Sequence, residues 1–540
     1  MIIGVDVGPT NTDAVLLDDT HSGALGHDVS RRVLASVKVP TLPDDAVGSL
    51  VAAVSALPTA PRAAVSRIAV GLRVAARAVA ERRGLARVGV LRIGGEAADA
   101  VRPLFGWPAE LREAVCAGYA NVPGGTGLDP HGEEPLDRAA VARFAAGLAG
   151  RAEAFAVTGV FSPADGSQER EAAEILRAEA GPDIPVLISG EIGSLGLIER
   201  ERATVLDAAL SLVAARITDD LTAALPRLGL APGAAVLVTR HDGTLMSLDR
   251  LRRQPGPSLG SGPACAIRGA GLLAGVRDAV VADIGGRQAR VGVLTGGYPR
   301  EAGGGTASGA RLPDLLTVDL AAPHPEGRTR STDVHPASRT SVMSPGTPDA
   351  YALGSDTPGT YPLEYSYQPG TRVTRTLGPG TSSTPETVGT GNPGAHPAPS
   401  TRPLGPDAHR ALAEAADRMQ PAAERLPLLL VGGGADAIPD RVLAGFDVVR
   451  PEHGAVAGAF GAAASPVGGH YERIVRPGAG RAARLDAVRA EVRELARASA
   501  VRAGADPRRV RTELDPDLSV PYLPGAVLLR ARAVGPPLPL

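Results

Sequence analysis

The sequence predicts an α/β protein. Over residues 1–300, short apolar runs typical of buried strands alternate with longer runs rich in Ala, Arg and Glu, which are typical of helices. The same alternation returns over residues 426–463. At 540 residues the chain exceeds the length at which a single hydrophobic core stops growing, so two or three domains are expected.

Individual elements follow from the length and composition of each run. Strands are predicted at residues 2–7, 13–17, 88–93, 155–160 and 186–189. Helices are predicted at 168–180, 202–224, 264–273 and 481–503. The run LPLLLVGGG at 426–434 predicts a buried strand that ends in a glycine turn, and the tail at 518–535 predicts a closing strand or hairpin.

Composition excludes several classes of protein. The net charge of −2 gives no electrostatic reason to expect nucleic acid or an anionic membrane as a partner. Two cysteines, Cys116 and Cys265, make neither a disulfide framework nor a zinc site. No signal-peptide pattern opens the chain and no apolar run is long enough to span a bilayer, so a soluble cytoplasmic protein is expected.

Residues 321–403 break the α/β pattern. Pro, Gly, Ser and Thr dominate this segment, and four of the eight tyrosines fall within it. Such a composition does not bury enough apolar surface to offset its ordering entropy, which predicts disorder. The alternative is a pair of compensating frameshifts, because the bias resembles a GC-rich gene read out of frame.

The opening run GVDVGPTNTDAVLL carries the first group of candidate site residues. Its strand delivers Asp6 to the strand end, where a carboxylate can hold Mg²⁺ and its waters. Small and hydroxyl residues follow, and successive backbone N–H groups of such a turn can bind phosphate. The alternative is an ordinary hairpin turn, and Pro9 removes one N–H donor. The candidate residues are Asp6, Gly8, Thr10, Asn11, Thr12 and Asp13.

A second strand–Asp–x–Gly turn lies about 280 residues later, in AVVADIGG. Asp283, Gly285 and Gly286 repeat the spacing of Asp6 and Gly8. The repeat indicates a duplicated fold with two facing phosphate loops, although each turn alone is equally consistent with a simple strand-to-turn junction. Gly432, Gly433 and Gly434 form a third turn that would allow the backbone to approach adenosine.

In this order, the motifs resemble the hydantoinase A / N-methylhydantoinase / 5-oxoprolinase family of ATP-dependent cyclic-amide hydrolases. The resemblance covers residues 1–320 and 404–530 and includes SGEIGSLGLIERERATVLDAAL, DGTLMSLDRL, SGPACAIRGAG, VVADIGG and VVRPEHGAVAGAFGAA. It implies an actin/hexokinase/Hsp70-like fold of two RNase H-like lobes around a nucleotide cleft. It also implies a reaction in which ATP phosphorylates the amide oxygen and water then opens the ring.

The resemblance also implies roles for particular residues. Asp6, Gly8, Thr10 and Thr12 match the first phosphate motif, beside the candidate Asn11, while Asp283, Gly285 and Gly286 match the second and Gly432, Gly433 and Gly434 the adenosine turn. The implied catalytic and metal-binding residues are Asp6 and Asp283, with ATP and Mg²⁺ or another divalent metal as cofactors. The implied partner is a hydantoinase B-type second subunit, in an oligomer.

The chain departs from the family pattern where phosphate contacts are expected. After Gly286 the pattern Thr-x-Thr-Asp is replaced by Arg287, Gln288, Ala289 and Arg290, which supply neither the hydroxyls nor the acid. Two functions are therefore predicted side by side. One is ATP-dependent hydrolysis of a hydantoin, 5-oxoproline or related lactam, with activity reduced or lost. The other is a non-catalytic nucleotide-binding or structural subunit.

The predicted organisation has five parts. Residues 1–190 form an N-terminal lobe, 191–320 begin a second lobe and 321–403 are the low-complexity segment. Residues 404–465 end the second lobe with its glycine turn, and 466–540 supply a helix and closing strands.

Overall fold

The computed structural model describes residues 1–19, 32–125, 134–192, 196–301, 312–320, 405–421, 425–476, 481–520, 523 and 525–538. The predicted segment at 321–403 lies outside these residues. The described residues form three β-sheets with helices packed against them, which confirms the predicted α/β class.

The strands, in chain order, are β1 (Ile2–Val7), β2 (Asn11–Leu17), β3 (Val33–Pro40), β4 (Arg67–Gly71), β5 (Val88–Ile93), β6 (Cys116–Val122), β7 (Ala154–Gly159), β8 (Val186–Ile188), β9 (Ala235–Thr239), β10 (Leu245–Ser247), β11 (Ala279–Ile284), β12 (Gln288–Thr295), β13 (Tyr298–Pro299), β14 (Leu315–Asp319), β15 (Leu428–Val431), β16 (Val448–Val449), β17 (Val467–Val475), β18 (Arg511–Leu514), β19 (Leu518–Ser519) and β20 (Val527–Gly535).

The α-helices are α1 (Ala46–Ala56), α2 (Thr59–Arg62), α3 (Val74–Glu81), α4 (Ala109–Val115), α5 (Arg138–Gly147), α6 (Ser167–Ala180), α7 (Leu197–Ala209), α8 (Ser211–Ala224), α9 (Leu248–Arg253), α10 (Ser261–Ala274), α11 (Pro406–Arg418), α12 (Ala457–Ala464) and α13 (Arg481–Arg502).

Two of the sheets contain the same core arrangement of strands. In the first sheet β1 and β2 form an antiparallel hairpin, β3 pairs with β2, and β4 and β9 continue parallel to β1. In the second sheet β11 and β12 form the hairpin, β14 pairs with β12, and β15 and β16 continue parallel to β11. The repeated hairpin-plus-parallel order is the duplicated fold that the paired strand–Asp–x–Gly motifs predict.

A pair of helices built from small residues joins these two sheets. α12 packs on β1, β2 and β4, whereas α10 packs on β11, β12 and β15, and the two helices pack against each other. A Cβ on Gly269 would lie 2.0 Å from the carbonyl oxygen of Ala457, and one on Gly461 would lie 2.0 Å from that of Cys265. Glycine at both positions lets the two helix backbones touch.

The third sheet is wholly parallel, in the order β6-β5-β7-β8. Every residue of β5 and β7 is buried, as expected for strands covered by helices on both faces. Arg92 on β5 and Glu201 on α7 form an ion pair of 2.8 Å inside this layer, and both side chains are fully buried.

The single helix predicted at 202–224 is wrong, because α7 and α8 are separate helices that meet at Leu210. The carbonyl of Ala209 accepts a hydrogen bond from the backbone N–H of Ala86 (2.7 Å), a partner from a distant segment. The sequence on both sides is helix-forming, so the local pattern carries no signal of the break.

The closing segment completes the first sheet, and its prediction as a hairpin is confirmed. β19 and β18 each pair antiparallel with β20, which pairs with β17. β17 pairs with β10, so the first sheet contains strands from three of the predicted parts, 1–190, 191–320 and 466–540. The predicted five-part division stays a prediction.

Candidate active site

The first hairpin turn follows Asp6 at the end of β1. The backbone N–H of Gly8 donates to the carbonyl of Asn11 (3.0 Å), which closes the turn. A Cβ on Gly8 would lie 2.6 Å from that carbonyl oxygen, so the turn requires glycine. The turn is a hairpin turn, and the predicted phosphate loop is this same stretch of backbone.

The second hairpin turn has the same construction. The N–H of Gly285 donates to the carbonyl of Gln288 (3.0 Å), and Asp283 is the cross-strand partner of Arg290. In the first hairpin the equivalent pair is Asp6 and Asp13. An arginine thus occupies in the second hairpin the register position that a carboxylate occupies in the first.

The two turns meet. A Cβ on Gly286 would lie 3.1 Å from Oγ1 of Thr10, so the tip of the second hairpin lies directly against the tip of the first. The structure brings together the two predicted loops, which are far apart in the sequence. Asn11 supports this contact, because its Nδ2 donates to Oγ1 of Thr10 (3.3 Å).

The predicted glycine turn at 432–434 packs against the second hairpin. A Cβ on Gly432 would lie 2.5 Å from Oδ1 of Asp283, and the N–H of Gly434 donates to the carbonyl of Ile284 (2.9 Å). Gly432 also has φ +89°, which favours glycine. Gly433 is the member of this turn closest to the first lobe, with its Cβ position 3.6 Å from Nζ of Lys38.

Thr12 lies apart from the other predicted residues. Its side chain is fully buried, and its hydroxyl hydrogen-bonds that of Thr41 (2.9 Å). The Thr41 hydroxyl also donates to the carbonyl of Gly8 (3.0 Å). The predicted ligand hydroxyl of Thr12 is therefore engaged in supporting the turn, whereas Thr10 lies at its tip.

Three glycines surround the carboxylate of Asp6. A Cβ on Gly458 of α12 would lie 2.4 Å from Oδ2, and one on Gly71 would lie 3.0 Å from Oδ1. Gly262, at the start of α10, is further away, with its Cβ position 3.6 Å from Oδ1. The joining helices α10 and α12 thus reach the site as well as the core.

Three carboxyl groups gather where the hairpins meet. Burial, together with the negative charges of Asp13 and Asp283, raises the pKa of Asp6 to about 7, although the charges of Arg73 and Lys38 oppose the shift. Burial also raises the pKa of Asp283, an effect that the charges of Arg290, Lys38 and Arg73 oppose. The pKa of Asp13 is raised by burial and lowered by Lys38.

The positive charges of Lys38, Arg73 and Arg290 act on these carboxyl groups. The sequence analysis did not identify Lys38 and gave Arg73 no role in the site. Lys38 on β3 is the cross-strand partner of Asp13 and forms an ion pair with it. Its Nζ also approaches the carbonyl of Ala455 (3.5 Å), so it connects β3 with the segment that precedes α12. One signal in the sequence marks this residue, because Lys38 is the only lysine among 56 Lys and Arg residues.

The carboxyl groups do not fit the predicted divalent-metal site. Among the residues that the structure describes, no group of three or more His, Cys, Asp or Glu side chains is placed to hold a metal ion. Asp13 is paired with Lys38, Asp283 faces Arg290 across the hairpin, and the glycines of α12 and β4 enclose Asp6. A divalent metal needs carboxylate oxygens that converge on one point, and Asp13, one of the three carboxyl groups, is already paired with Lys38.

His241 and Asp242 lie in the turn that follows β9. Asp242 accepts hydrogen bonds from the backbone N–H (2.9 Å) and hydroxyl (2.6 Å) of Thr244, and it pairs with Arg240 (3.3 Å). Nε2 of His241 lies 3.5 Å from Glu301.

Within the described part of the chain, no helix is both long and apolar enough to cross a membrane.

Comparison with known proteins places these features in a family. The profile described as hydantoinase/oxoprolinase N-terminal region matches residues 2–180, and the profile described as hydantoinase/oxoprolinase matches residues 200–320. No curated protein matches the sequence significantly.

Two solved structures share the fold. The crystal structure of ATP-dependent caprolactamase from Pseudomonas jessenii aligns with 100% of this chain and 88% of its own, at 17% identity and a TM-score of 0.67. The nucleotide-free structure of acetone carboxylase aligns over the same shares, at 16% identity and a TM-score of 0.58. The repeated sheets, the facing turns and the two profiles agree: this chain belongs to the hydantoinase/oxoprolinase family.

Proposed function

We propose that the chain binds ATP where its two hairpin turns meet and uses it to hydrolyse a cyclic amide. The observation that carries the proposal is the approach of Gly286 to Thr10, which brings two glycine-containing turns from separate lobes to one point. Turns of this kind bind phosphate through backbone N–H groups. The caprolactamase of the same fold is described as ATP-dependent.

The reaction follows from the chemistry of amides. The carbonyl of an unstrained lactam or hydantoin is a poor electrophile, so water alone opens the ring slowly. Transfer of the γ-phosphoryl group of ATP to the amide oxygen releases ADP and makes the nitrogen a better leaving group. Water then adds to the carbonyl carbon and the ring nitrogen leaves as an amine, and a second water hydrolyses the resulting acyl phosphate to a carboxylate and phosphate. The proposed substrates are a hydantoin, 5-oxoproline or a related lactam.

The proposed contacts with ATP come from three turns. Gly8, Thr10 and Asn11 would contact phosphate from the first lobe, and Gly285 and Gly286 from the second. The turn at 432–434 would approach the adenosine, since it packs directly on the second hairpin. Asp6 and Asp283, which end the leading strands of the two hairpins, are the proposed catalytic residues.

A second candidate function is that of a non-catalytic nucleotide-binding or structural subunit. Arg290 favours it, because this arginine stands where the first hairpin has Asp13. In either function we propose a hydantoinase B-type second subunit, an oligomeric assembly and a cytoplasmic location.

Calorimetric titration with ATP, followed by assay of a panel of cyclic amides for ADP release, tests the proposal. Asp6→Ala is expected to abolish ADP release, because Asp6 is a proposed catalytic residue. Asp278→Ala is the matched control, since Asp278 is exposed at the opposite end of the second hairpin and only accepts a hydrogen bond from Gly296 (2.9 Å). Binding without ADP release on any amide would favour the non-catalytic nucleotide-binding subunit, and failure to bind ATP would overturn both functions that need a nucleotide and leave the structural subunit.

A further inference from the structure

Each hairpin places one residue opposite its leading aspartate. In the first hairpin Asp13 lies opposite Asp6, and in the second Arg290 lies opposite Asp283. A symmetric pair of hairpins would supply four carboxylates at the junction, whereas this chain supplies three carboxylates and one arginine. The substitution changes the local charge by two units.

Lys38 and Arg73 add two further cations to the same place. Lys38 pairs with Asp13 and approaches the carbonyl of Ala455 and the turn at Gly433. Arg73 directly precedes α3 and lies two residues after Gly71, whose Cβ position is 3.0 Å from Oδ1 of Asp6. The charges of Asp6, Asp283 and Arg290 all act on Arg73. Three cations therefore face three carboxyl groups in a part of the molecule where charges are poorly screened.

We propose that Arg290, with Lys38 and Arg73, takes the place of a divalent cation between the two hairpins, so that this chain holds the phosphates of a nucleoside triphosphate without a metal. An arginine carries fixed positive charge and several N–H donors suited to phosphate. The claim that the carboxylates recruit no metal stands independently. The claim about phosphate rests on the proposed function.

Arg290→Asp is the decisive variant. It recreates in the second hairpin the carboxylate pair of the first, with Thr317 on β14 in the register position that Lys38 holds on β3. Arg290→Met removes the charge without adding a ligand. Arg277→Asp is the matched control, because Arg277 is exposed near the start of β11, at the far end of the same hairpin.

The first arm titrates Mn²⁺ alone and follows the free ion by electron paramagnetic resonance. Wild type, Arg290→Met and Arg277→Asp are expected to show no saturable binding, whereas Arg290→Asp gains one site. Saturable Mn²⁺ binding by the wild type, or no gain in Arg290→Asp that melts like the wild type, would overturn the proposal.

The second arm measures ATP affinity by calorimetry in excess Mg²⁺ and in excess EDTA. The wild type is expected to bind with similar affinity in both, and Arg290→Asp to lose about tenfold or more in EDTA, equivalent to about 1.4 kcal/mol. Wild-type binding that requires Mg²⁺ overturns the proposal. If ATP binds in neither buffer, the proposed function is overturned. The Mn²⁺ titration still tests whether the carboxyl groups of the wild type bind a metal.

Discussion

At the scale of single residues, the position of the Asp6 carboxyl group depends on the glycines packed against it. Two of these glycines lie in the joining helices α10 and α12, and their Cβ positions differ in distance from the Asp6 carboxyl group. The Cβ position of Gly458 is 2.4 Å from Oδ2 of Asp6, whereas that of Gly262 is 3.6 Å from Oδ1. The first distance is a steric clash and the second an ordinary contact.

Gly458→Ala is therefore expected to push the Asp6 carboxyl group from its position and slow ADP release by about tenfold or more. Gly262→Ala places the same methyl group near the same side chain without a clash and should leave the rate unchanged. Assay of ADP release by both variants in the presence of a cyclic amide checks this, with thermal melts to show that each is folded. Equal rates for the two variants would contradict the assigned role of Asp6.

Asp207 gives a prediction for pH. It lies on α7, is almost completely buried and accepts a hydrogen bond from the N–H of Gly256, and burial raises its pKa from 3.8 to about 7. Because the folded protein holds this proton more tightly than the unfolded chain, its ionisation costs stability as the pH rises from about 4 to about 7.

Asp207→Asn removes this ionisation and keeps an oxygen acceptor for Gly256. The variant should gain stability relative to the wild type as the pH rises through that window, by up to about 4 kcal/mol in total. Thermal melts of both proteins at about pH 5 and about pH 8 measure the difference. A melting-temperature difference that does not change with pH would show that Asp207 is ionised throughout.

At the scale of elements, the pairing of α10 with α12 decides how the two sheets are joined. The Cβ positions of Gly269 and Gly461 each lie 2.0 Å from a carbonyl oxygen of the other helix. Gly4 on β1 makes a similar approach to Ala459. Rigid backbone atoms form all three contacts, so side-chain movement does not relieve a clash there.

Gly461→Ala is expected to destabilise the protein by at least roughly 1–3 kcal/mol, since the helices must separate to admit the methyl group. Gly147→Ala is the matched control. Gly147 ends α5, and its Cβ position has no atom within 4 Å. Chemical denaturation should show a lower midpoint for Gly461→Ala and an unchanged or slightly higher one for Gly147→Ala, because alanine favours helix. A midpoint for Gly461→Ala as high as the control's would contradict the close packing.

At the scale of the whole molecule, the C-terminal segment is part of the first sheet. β17 and β20 extend that sheet beyond β10, and α13 packs on both strands. Residues of this segment, among them Val492, Ala496 and Leu529, lie in the same hydrophobic core as Ile3 and Val70.

A chain that ends at residue 465 should therefore aggregate or melt without cooperativity. Its first sheet loses the strands beyond β10, which exposes β10 as an unpaired edge and removes part of the core. Solubility and differential scanning calorimetry measure this. Co-expression of residues 466–540 as a separate chain is the control, and it should restore solubility. A cooperative melt of the shortened chain at the full-length temperature would instead establish an independent domain.

Much of the fold could be predicted from the sequence. The bounds of β1 and β5 were predicted without error, and both strand–Asp–x–Gly motifs lie on equivalent hairpins. These signals are local, because buried strands require apolar runs and tight turns require glycine. The break at Leu210 escaped prediction because the residues on both sides are helix-forming, whereas the hydrogen bond that the carbonyl of Ala209 accepts there comes from Ala86, far away in the sequence.

By itself, the sequence determined the α/β class, the duplication and the positions of the glycine turns, since each depends on residues that are neighbours in the chain. The tertiary structure alone decided that Gly286 meets Thr10 and that Thr12 is buried against Thr41. It also decided that Asp6, Asp13 and Asp283 are brought close to one another and to the charges of Lys38, Arg73 and Arg290. The physical reason is that the electrostatic balance of a site depends on distances through space. Lys38 and Ala455, more than 400 positions apart along the chain, are brought to 3.5 Å only by the packing of the two lobes.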